Sequence, residues 1–488
     1  MKLQDCCFGA GSLLALLLAG CTVGPNYHRP DAPTAPAFKE SAVTPPPGIP
    51  GGGWKQVGPN DSAIRPDWWE IYQDPELDKL EQQVAIANQT LKASYEQYMQ
   101  ARAAVQFARS QYYPTVQAGP SASQNRVSSN RPLFTKSIEE TNYSDLVLQG
   151  QVNWEPDFWG KIRREVEAQR ATASASAADL ANVDLSLRSE LATDYFELRG
   201  LDTQQRLLDN TVVQYEQYLA LTKARFTGGV ATDSDVALAQ TQLDQTRAQA
   251  IDVGVARAQF EHAIATLTGT PASSFGLPPA PLDLQLPQVP VAVPSQLLER
   301  RPDVAAAERR TNAANAQIGV AISAYYPTID LGVAGGFESQ TPGTWLQGPS
   351  SLWSLGGSAV ELLFDAGRRH ALTEQAKDAY EQNVDNYRQT VLQAFQEVED
   401  GLSSLRILSG ESVAQQRAVD SANRSLLIST NRYKGGVTTY LEVITAQTTQ
   451  LSNERTAADI VTREFAASVG LVKALGGGWD TTKLPRNP

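Results

Sequence analysis

The chain of 488 residues is acidic, with 53 aspartates and glutamates against 41 lysines and arginines and a formal net charge of −12 at pH 7. It has no basic cluster of the kind that binds nucleic acid, and its three histidines (His28, His262 and His370) are too scattered to suggest a metal site or a histidine-based catalytic centre. It also lacks a nucleotide-binding glycine loop and a G-x-S-x-G sequence. We therefore predict a protein that is not an enzyme and that needs no cofactor.

The N-terminus predicts export from the cytoplasm. Lys2 precedes an apolar run from Phe8 to Leu18, which is too short to span a bilayer but has the length of a signal-peptide core. The run ends in Leu-Ala-Gly-Cys21, which resembles a bacterial lipobox. We expect a signal peptide over residues 1–20 and a covalent lipid on Cys21; the alternative is an ordinary signal cleaved at small residues.

The mature chain is predicted to consist of a tether followed by two structural repeats. Residues 21–66 are rich in proline and glycine and predict an extended tether. Repeat 1 covers 67–268, with predicted helix 75–111, strands 113–124 and 143–154, helix 161–226, turn 227–232 and helix 233–268. A proline-rich link, 269–296, leads to repeat 2 over 297–475, with predicted helix 301–324, strands 326–337 and 353–364, helix 368–433, turn 434–438 and helix 439–475. A tail, 476–488, ends the chain.

Two pairs of similar segments indicate this duplication. Arg225-Phe-Thr-Gly-Gly-Val returns as Arg432-Tyr-Lys-Gly-Gly-Val, and Tyr112-Tyr-Pro-Thr returns as Tyr325-Tyr-Pro-Thr. Self-similarity at a long, nearly constant spacing indicates that one structural unit is used twice. The architecture should therefore be pseudo-symmetric.

The long helices predict a rod. Apolar residues recur every seventh position from Leu191 to Phe226 and from Val398 to Tyr433, except at Gln205 and Ser412, which is typical of coiled packing between helices. At 1.5 Å per residue, such a helix is about 100 Å long. We expect helices 233–268 and 301–324 to lie end to end beside it, with the link outside. A long fibrous dimer is the alternative.

The strands favour a membrane channel over a fibre. Apolar residues alternate with polar or small ones in 146–154 and 329–337, a pattern typical of transmembrane barrel strands, although a half-buried soluble sheet alternates too. Aromatic residues of the kind that prefer a membrane interface stand at the strand ends: Tyr112, Tyr113, Trp154, Trp159, Tyr325 and Tyr326. Four strands cannot close in lipid, so several subunits must pool theirs.

At this point the sequence resembles a family. The residues around Cys21, Trp68-Trp69, Leu298-Glu-Arg-Arg-Pro-Asp-Val and the paired Gly-Gly-Val turns look like outer-membrane efflux proteins of the TolC type, in the OprM/NodT lipoprotein branch. The resemblance implies an α+β membrane protein: a homotrimer with a twelve-stranded β-barrel in outer-membrane lipid and a long α-helical periplasmic tunnel. It also implies two partners, a periplasmic membrane-fusion adaptor and an inner-membrane resistance–nodulation–division transporter.

The resemblance also suggests functional residues. It implies that the two turns contact the adaptor, through Arg225, Gly228, Gly229, Val230, Arg432, Gly435, Gly436 and Val437. It places Asp235, Leu441 and Glu442 near a periplasmic gate, although acidic residues at a helix start also suit the helix dipole. Thr445 and Thr448 stand where the branch carries an aspartate and an arginine, so we expect a gate with fewer ionic contacts.

The function predicted from these observations is a passive exit duct for small molecules in a tripartite efflux pump. A duct for type I-like secretion or other export is the alternative. A periplasmic adaptor would need further β-rich domains, and a structural coiled-coil lipoprotein would not need the alternating strands.

Overall fold

The computed structural model describes residues 22–40, 54–56, 67–128, 142–291, 300–479 and 481–484. Its α-helices are α1 (Pro75–Ala87), α2 (Gln89–Ser110), α3 (Lys161–Thr227), α4 (Asp233–Leu267), α5 (Pro302–Ser323), α6 (Arg368–Lys434) and α7 (Tyr440–Ala474). Its strands are β1 (Trp54–Gln56), β2 (Thr115–Arg126), β3 (Asn142–Trp154), β4 (Val289–Val291), β5 (Thr328–Ser339) and β6 (Ser351–Val360). The predicted signal peptide and Cys21 lie outside the described residues.

Two helices of 67 residues each, α3 and α6, form the long axis of the molecule. Each is about 100 Å long, and both match the predicted spans to within one residue. The seven-residue pattern marks the packed side, since Leu191, Leu198, Val398 and Leu405 are buried. Phe226, the last member of the first series, is instead 46% exposed, whereas its equivalent in the second series, Tyr433, is buried. No helix in the described ranges has an apolar stretch long enough to cross a membrane.

The shorter helices pair end to end in an arrangement that differs from the predicted one. The Asn88 side chain, between α1 and α2, donates a hydrogen bond to the carbonyl of Leu267 at the end of α4 (2.8 Å). Arg301, at the start of α5, donates to the carbonyl of Ala474 at the end of α7 (3.0 Å). The expected pairing of 233–268 with 301–324 is therefore wrong. Helices of similar length offer several end-to-end combinations, and only these junction contacts select one.

Asn88 also divides the predicted helix 75–111 into two. Its backbone is extended (φ −61°, ψ 125°), and its side-chain oxygen accepts a hydrogen bond from the amide of Leu91, which caps α2. An asparagine that satisfies a free helical N–H stabilises a helix start by about 1 kcal/mol. The break at Asn88 lets the chain change direction between α1 and α2, at the point where α4 ends.

The main hydrophobic core lies midway along the rod. Trp68, Tyr72, Phe196 and Phe465 are almost fully buried there, with the Phe196 and Phe465 ring centroids 4.7 Å apart. The proline-rich link is bonded to the outside of this level through Asp202, which accepts hydrogen bonds from the amide of Ala280 and from two arginines. Its last described residues form β4, which pairs in parallel with β1.

The remaining strands form one antiparallel sheet in the order β2-β3-β5-β6. The register aligns Val116 with Val152, Val152 with Val333, and Val333 with Leu355, so one face carries apolar residues across all four strands. The opposite face is a groove of about 560 Å³ lined largely by Gln, Asn, Ser, Gly and Asp330. This confirms the predicted alternation. The outer edges of β2 and β6 pair with no other strand in the described part of the chain.

The last predicted strand is too long at its C-terminal end. β6 ends at Val360, and Phe364 lies in the turn before α6 rather than in the strand. The Asp365 carboxylate accepts hydrogen bonds from the amides of Gly367 and Arg369. This segment therefore caps the start of α6 and does not extend the strand.

Candidate functional site: the hairpin tips and the strand–helix junction

The first candidate region is the tip where α3 turns into α4. The amide of Gly229 donates to the carbonyl of Phe226 (2.9 Å), and the amide of Val230 donates to that of Arg225 (2.9 Å). This pair of bonds is a Schellman motif, which ends a helix with one residue in the left-handed conformation. Gly229 is that residue, with φ +76°, whereas Gly228 remains helical with φ −76°.

The second tip, between α6 and α7, repeats this geometry. Gly436 has φ +72° and Gly435 has φ −76°, and the amide of Val437 donates to the carbonyl of Arg432 (2.9 Å). In each pair the second glycine alone has the positive φ that favours glycine. The two turns are therefore structural equivalents, as the sequence duplication predicts.

The two tips contact each other within one chain. The Arg225 guanidinium lies 4.7 Å from the centroid of the Tyr433 ring and donates a hydrogen bond to the carbonyl of Lys434 (3.2 Å). Arg225 thus bonds within its own chain, while the valines beside it point outward. Val230 is 67% exposed and Val437 is 70% exposed. Their contact with an adaptor stays a prediction.

The acidic residues expected at the gate both have partners in the chain. Asp235 forms a capping box with Thr232: its carboxylate accepts from the Thr232 amide (2.9 Å), and its own amide donates to the Thr232 hydroxyl (3.2 Å). Glu442 forms an ion pair with Arg432 (3.3 Å), which stands just before the turn. The Thr-x-x-Asp spacing is the sequence signal that could have assigned Asp235 to the cap.

The other two predicted gate residues are exposed on the first turns of α7. Leu441 is 60% exposed, and the Thr445 hydroxyl donates back to the Leu441 carbonyl (2.9 Å). Leu441 is free to contact another molecule, whereas Thr445 contributes no charge. A role for either residue in closing a channel stays a prediction.

A buried polar cluster behind the tips was not predicted from the sequence. It joins Tyr215 of α3, Tyr433 of α6, and Tyr440 and Gln447 of α7, all nearly or fully buried. Within the described residues, the hydroxyls of Tyr215 and Tyr433 and both amide atoms of Gln447 have no hydrogen-bond partner. Burial raises the pKa of Tyr215 to about 12. Because these residues occupy positions of the apolar repeat, the pattern alone predicts ordinary core.

The second candidate region is the junction between the sheet and the helices, where the predicted interface aromatics lie. Trp154 donates to the carbonyl of Tyr112 (3.0 Å), and Trp159 donates to that of Pro327 (2.8 Å) while stacking on Tyr326 (5.0 Å). Arg369 lies over Tyr325, with 5.2 Å between the guanidinium carbon and the ring centroid. Among the described residues Tyr113 makes no such contact, and it is 71% exposed. The other five aromatic residues are held in three separate contacts at this level, and we call this set the aromatic belt.

The tether begins at this same junction. Thr22 packs against Gly160, and the amide of Val23 donates to the carbonyl of Trp159 (3.1 Å). The buried Arg164 donates to the carbonyls of Val23 (3.1 Å) and Gly24 (3.2 Å). The chain directly after Cys21 is thus fixed at the level of the aromatic belt.

Comparison with known proteins identifies the architecture. The family model described as outer membrane efflux protein matches residues 80–270 and 293–477. The chain belongs to the outer membrane efflux protein family. Its two matched segments contain nearly all of both predicted repeats.

The relatives share almost the full length of the chain. OprJ, an outer membrane protein of Pseudomonas aeruginosa, is 30% identical over 478 residues, covering 97% of this chain and 96% of OprJ. OpmQ, the pyoverdine export outer membrane protein of Pseudomonas putida, is 31% identical over 458 residues, covering 91% of this chain and 96% of OpmQ. The solved outer-membrane channel OprN superposes with a TM-score of 0.86 at 28% identity, covering 94% of this chain and all of OprN.

These findings confirm the resemblance and the fold predicted from the sequence. The protein is an outer-membrane efflux channel, and its family and relatives are channel proteins rather than enzymes. The Campylobacter jejuni channel CmeC has the same fold, with a TM-score of 0.86 at 23% identity.

Proposed function

We propose that the protein is the exit duct of a tripartite efflux pump and works as a homotrimer whose sheets close into one barrel. The four-stranded sheet with two open edges and one apolar face carries this proposal. Unpaired backbone groups in lipid cost several kcal/mol each. Pairing of β2 with β6 of a neighbouring copy removes both edges, and three copies give twelve strands.

The apolar face supplies the lipid contact. Trp353 is 82% exposed and Leu355 is 74% exposed on this face of the single chain. Burial of apolar surface contributes roughly 25 cal/mol per Å², so insertion of this face in the outer membrane is favourable. The groove on the opposite face then becomes the wall of the bore.

The lipid anchor is proposed on Cys21. The described tether supports it because Thr22 and Val23 are fixed at the aromatic belt, where acyl chains on the preceding residue would reach the bilayer directly. A lipid on Cys21 would therefore need no further length of chain to insert.

The partners are proposed at the opposite end of the rod. The tips with exposed Val230 and Val437 would contact a periplasmic membrane-fusion adaptor, and the adaptor would connect the duct to an inner-membrane resistance–nodulation–division transporter. Asp235, Leu441, Glu442 and Thr445, which we propose for the gate, stand on the first turns of the helices that follow the tips. The cargo is proposed to be small molecules, since the relatives include a toluene efflux protein and a pyoverdine export protein.

Cysteine cross-linking between the two edge strands tests the shared barrel. Val116 near the start of β2 and Ala359 near the end of β6 both lie at the helical end of the sheet, on its apolar face, and are exposed in the single chain. Val116→Cys and Ala359→Cys in one chain should give covalent dimers and trimers in outer-membrane fractions. Each single variant is the control. Monomers that remain after oxidation of the double variant would contradict the proposal.

A further inference from the structure

A polar groove between the two hairpins lies outside the tips and the junction. It has a volume of about 510 Å³ and is bounded by α4 and α7, with α3 as its floor. Its lining is dominated by uncharged hydrogen-bonding side chains, including Gln204, Gln242, Gln245 and Gln249. Arg455 and Asp459 contribute one charge of each sign. This volume is typical of small-molecule pockets, which range from about 300 to 1,000 Å³.

The groove faces away from the tether and the link. Arg206 faces the link at Pro279–Pro281, and Gln204 lies about 160° around α3 from it at 3.6 residues per turn. Arg164, which bonds to the tether, is a whole number of seven-residue repeats before Arg206 and so lies on the same face of α3. Since these segments mark the outside of the rod, the groove faces the lumen of the proposed duct.

Several of its amides are available to a ligand. The Gln249 side-chain oxygen accepts a hydrogen bond from Arg455 (3.3 Å). Gln204 and Gln245 have no side-chain hydrogen bond to any described residue, and Gln245 is exposed. Each presents a donor and an acceptor, which together match a peptide amide.

The glutamines belong to the first repeat alone. The positions 207 residues later carry Glu411, Thr449, Ser452 and Thr456 instead. Pseudo-symmetry therefore does not account for the amides, since the second hairpin builds the equivalent surface from other residues.

We propose that this groove is a weak binding site for neutral, amide-rich small molecules passing through the duct. The inference rests on the proposed function, because that function makes the face lumenal. The groove recognises amides by paired hydrogen bonds from Gln204 and Gln245. The opposite charges of Arg455 and Asp459 offset each other, so the groove favours a neutral ligand. Weak binding suits a conduit, because a site in a conduction path must favour entry without preventing release.

Ligand-observed NMR on the purified, detergent-solubilised protein tests this site. N-acetyl-tetraglycine amide is a neutral probe with several peptide amides. It should give a saturable transfer signal with a dissociation constant on the order of 1 mM. The double variant Gln204→Ala/Gln245→Ala should weaken binding about fivefold or more, as expected for the loss of two or more hydrogen bonds.

A matched control lies on the next residue of the same helix. Gln205 faces outward and bonds to Asp209, so Gln205→Ala should bind the probe like the unmodified protein. Equal affinity in the double variant, or no saturable binding to the unmodified protein, would overturn the assignment. So would choline binding that competes with the probe and survives the double variant, because Asp459 rather than the amides would then be the recognition element. The Val116–Ala359 cross-link tests the duct independently, so the two failures are distinguishable.

Discussion

The guanidinium of Arg225 lies over the ring of Tyr433 at 4.7 Å and so joins the tip of the first hairpin to the tip of the second. A displacement of one hairpin relative to the other must break this contact. The pair therefore stabilises the arrangement in which the tips lie together.

Removal of this contact should favour the separated arrangement. An exposed cation–π contact contributes about 0.5–1 kcal/mol, so Arg225→Ala should raise the open fraction in planar bilayers about two- to fivefold. Arg225→Lys should show most of this effect, because lysine lacks the planar group that stacks. An open fraction unchanged in both variants would remove the assigned role.

The paired glycines should differ in tolerance to substitution. Gly229→Ala places a side chain at φ +76° and should destabilise the tip by about 1–2 kcal/mol. Gly228→Ala should be nearly neutral, since that residue is helical and an added Cβ would lie 3.5 Å from the nearest atom. Hydrogen–deuterium exchange at the tip measures both. Equal protection in the two variants would show that the turn does not constrain φ as described.

Arg164 should control the start of the tether. Its side chain donates to the carbonyls of Val23 and Gly24 and to Asn26. Arg164→Ala should expose residues 22–40 to limited proteolysis, because hydrogen bonds from a charged group contribute about 1.5–3 kcal/mol each. Arg163→Ala is the matched control, since Arg163 bonds to Asp157 instead. Equal cleavage rates in the two variants would contradict this.

Asp194 should make stability depend on pH. Burial, together with the carboxylates of Glu190 and Glu197, raises its pKa from 3.8 to about 6. Across the helix interface, burial and the charge of Asp459 raise the pKa of Glu197, and Asp459 itself pairs with Arg463. Because the folded-state pKa is the higher one, ionised Asp194 destabilises the fold above about pH 6, and this cost disappears as the pH falls toward 4.

Asp194→Asn should therefore raise the temperature of oligomer dissociation at pH 7.5 and have little effect at pH 4. Asp252→Asn, at an exposed position of α4, is the control and should change neither value. A shift of equal size at both pH values would show that the gain does not come from removing the charge.

Glu442 should contribute little to cation selectivity. Arg432 lies 3.3 Å away, and both side chains are about half exposed, so the ion pair contributes about 0–1 kcal/mol and offsets the charge of Glu442. Glu442→Gln should leave the reversal potential in a salt gradient nearly unchanged, whereas Arg432→Gln should make the channel more cation-selective. A large shift from Glu442→Gln alone would restore the predicted ring of negative charge.

The features predicted correctly depend on local sequence. The Gly-Gly-Val turns need a positive φ at one residue, and the strands near Val152 and Val333 alternate with period two, so nearby residues determine both. The stacking of α4 on α1 and α2 depends on Asn88 meeting Leu267, which are 179 positions apart. Tyr215 and Gln447 were missed for a similar reason, since apolar periodicity does not distinguish a buried hydroxyl or amide from ordinary core.

The tether has a mechanical consequence. It is hydrogen-bonded at its start to Trp159, and the amides of Lys39 and Glu40, farther along it, donate to Glu399 midway along α6. These contacts tie the strand–helix junction to the middle of the rod along one side. If a lipid is attached to Cys21, tilting of the rod away from the membrane normal would strain the tether. Lipid anchoring would therefore also keep the rod upright across the periplasm.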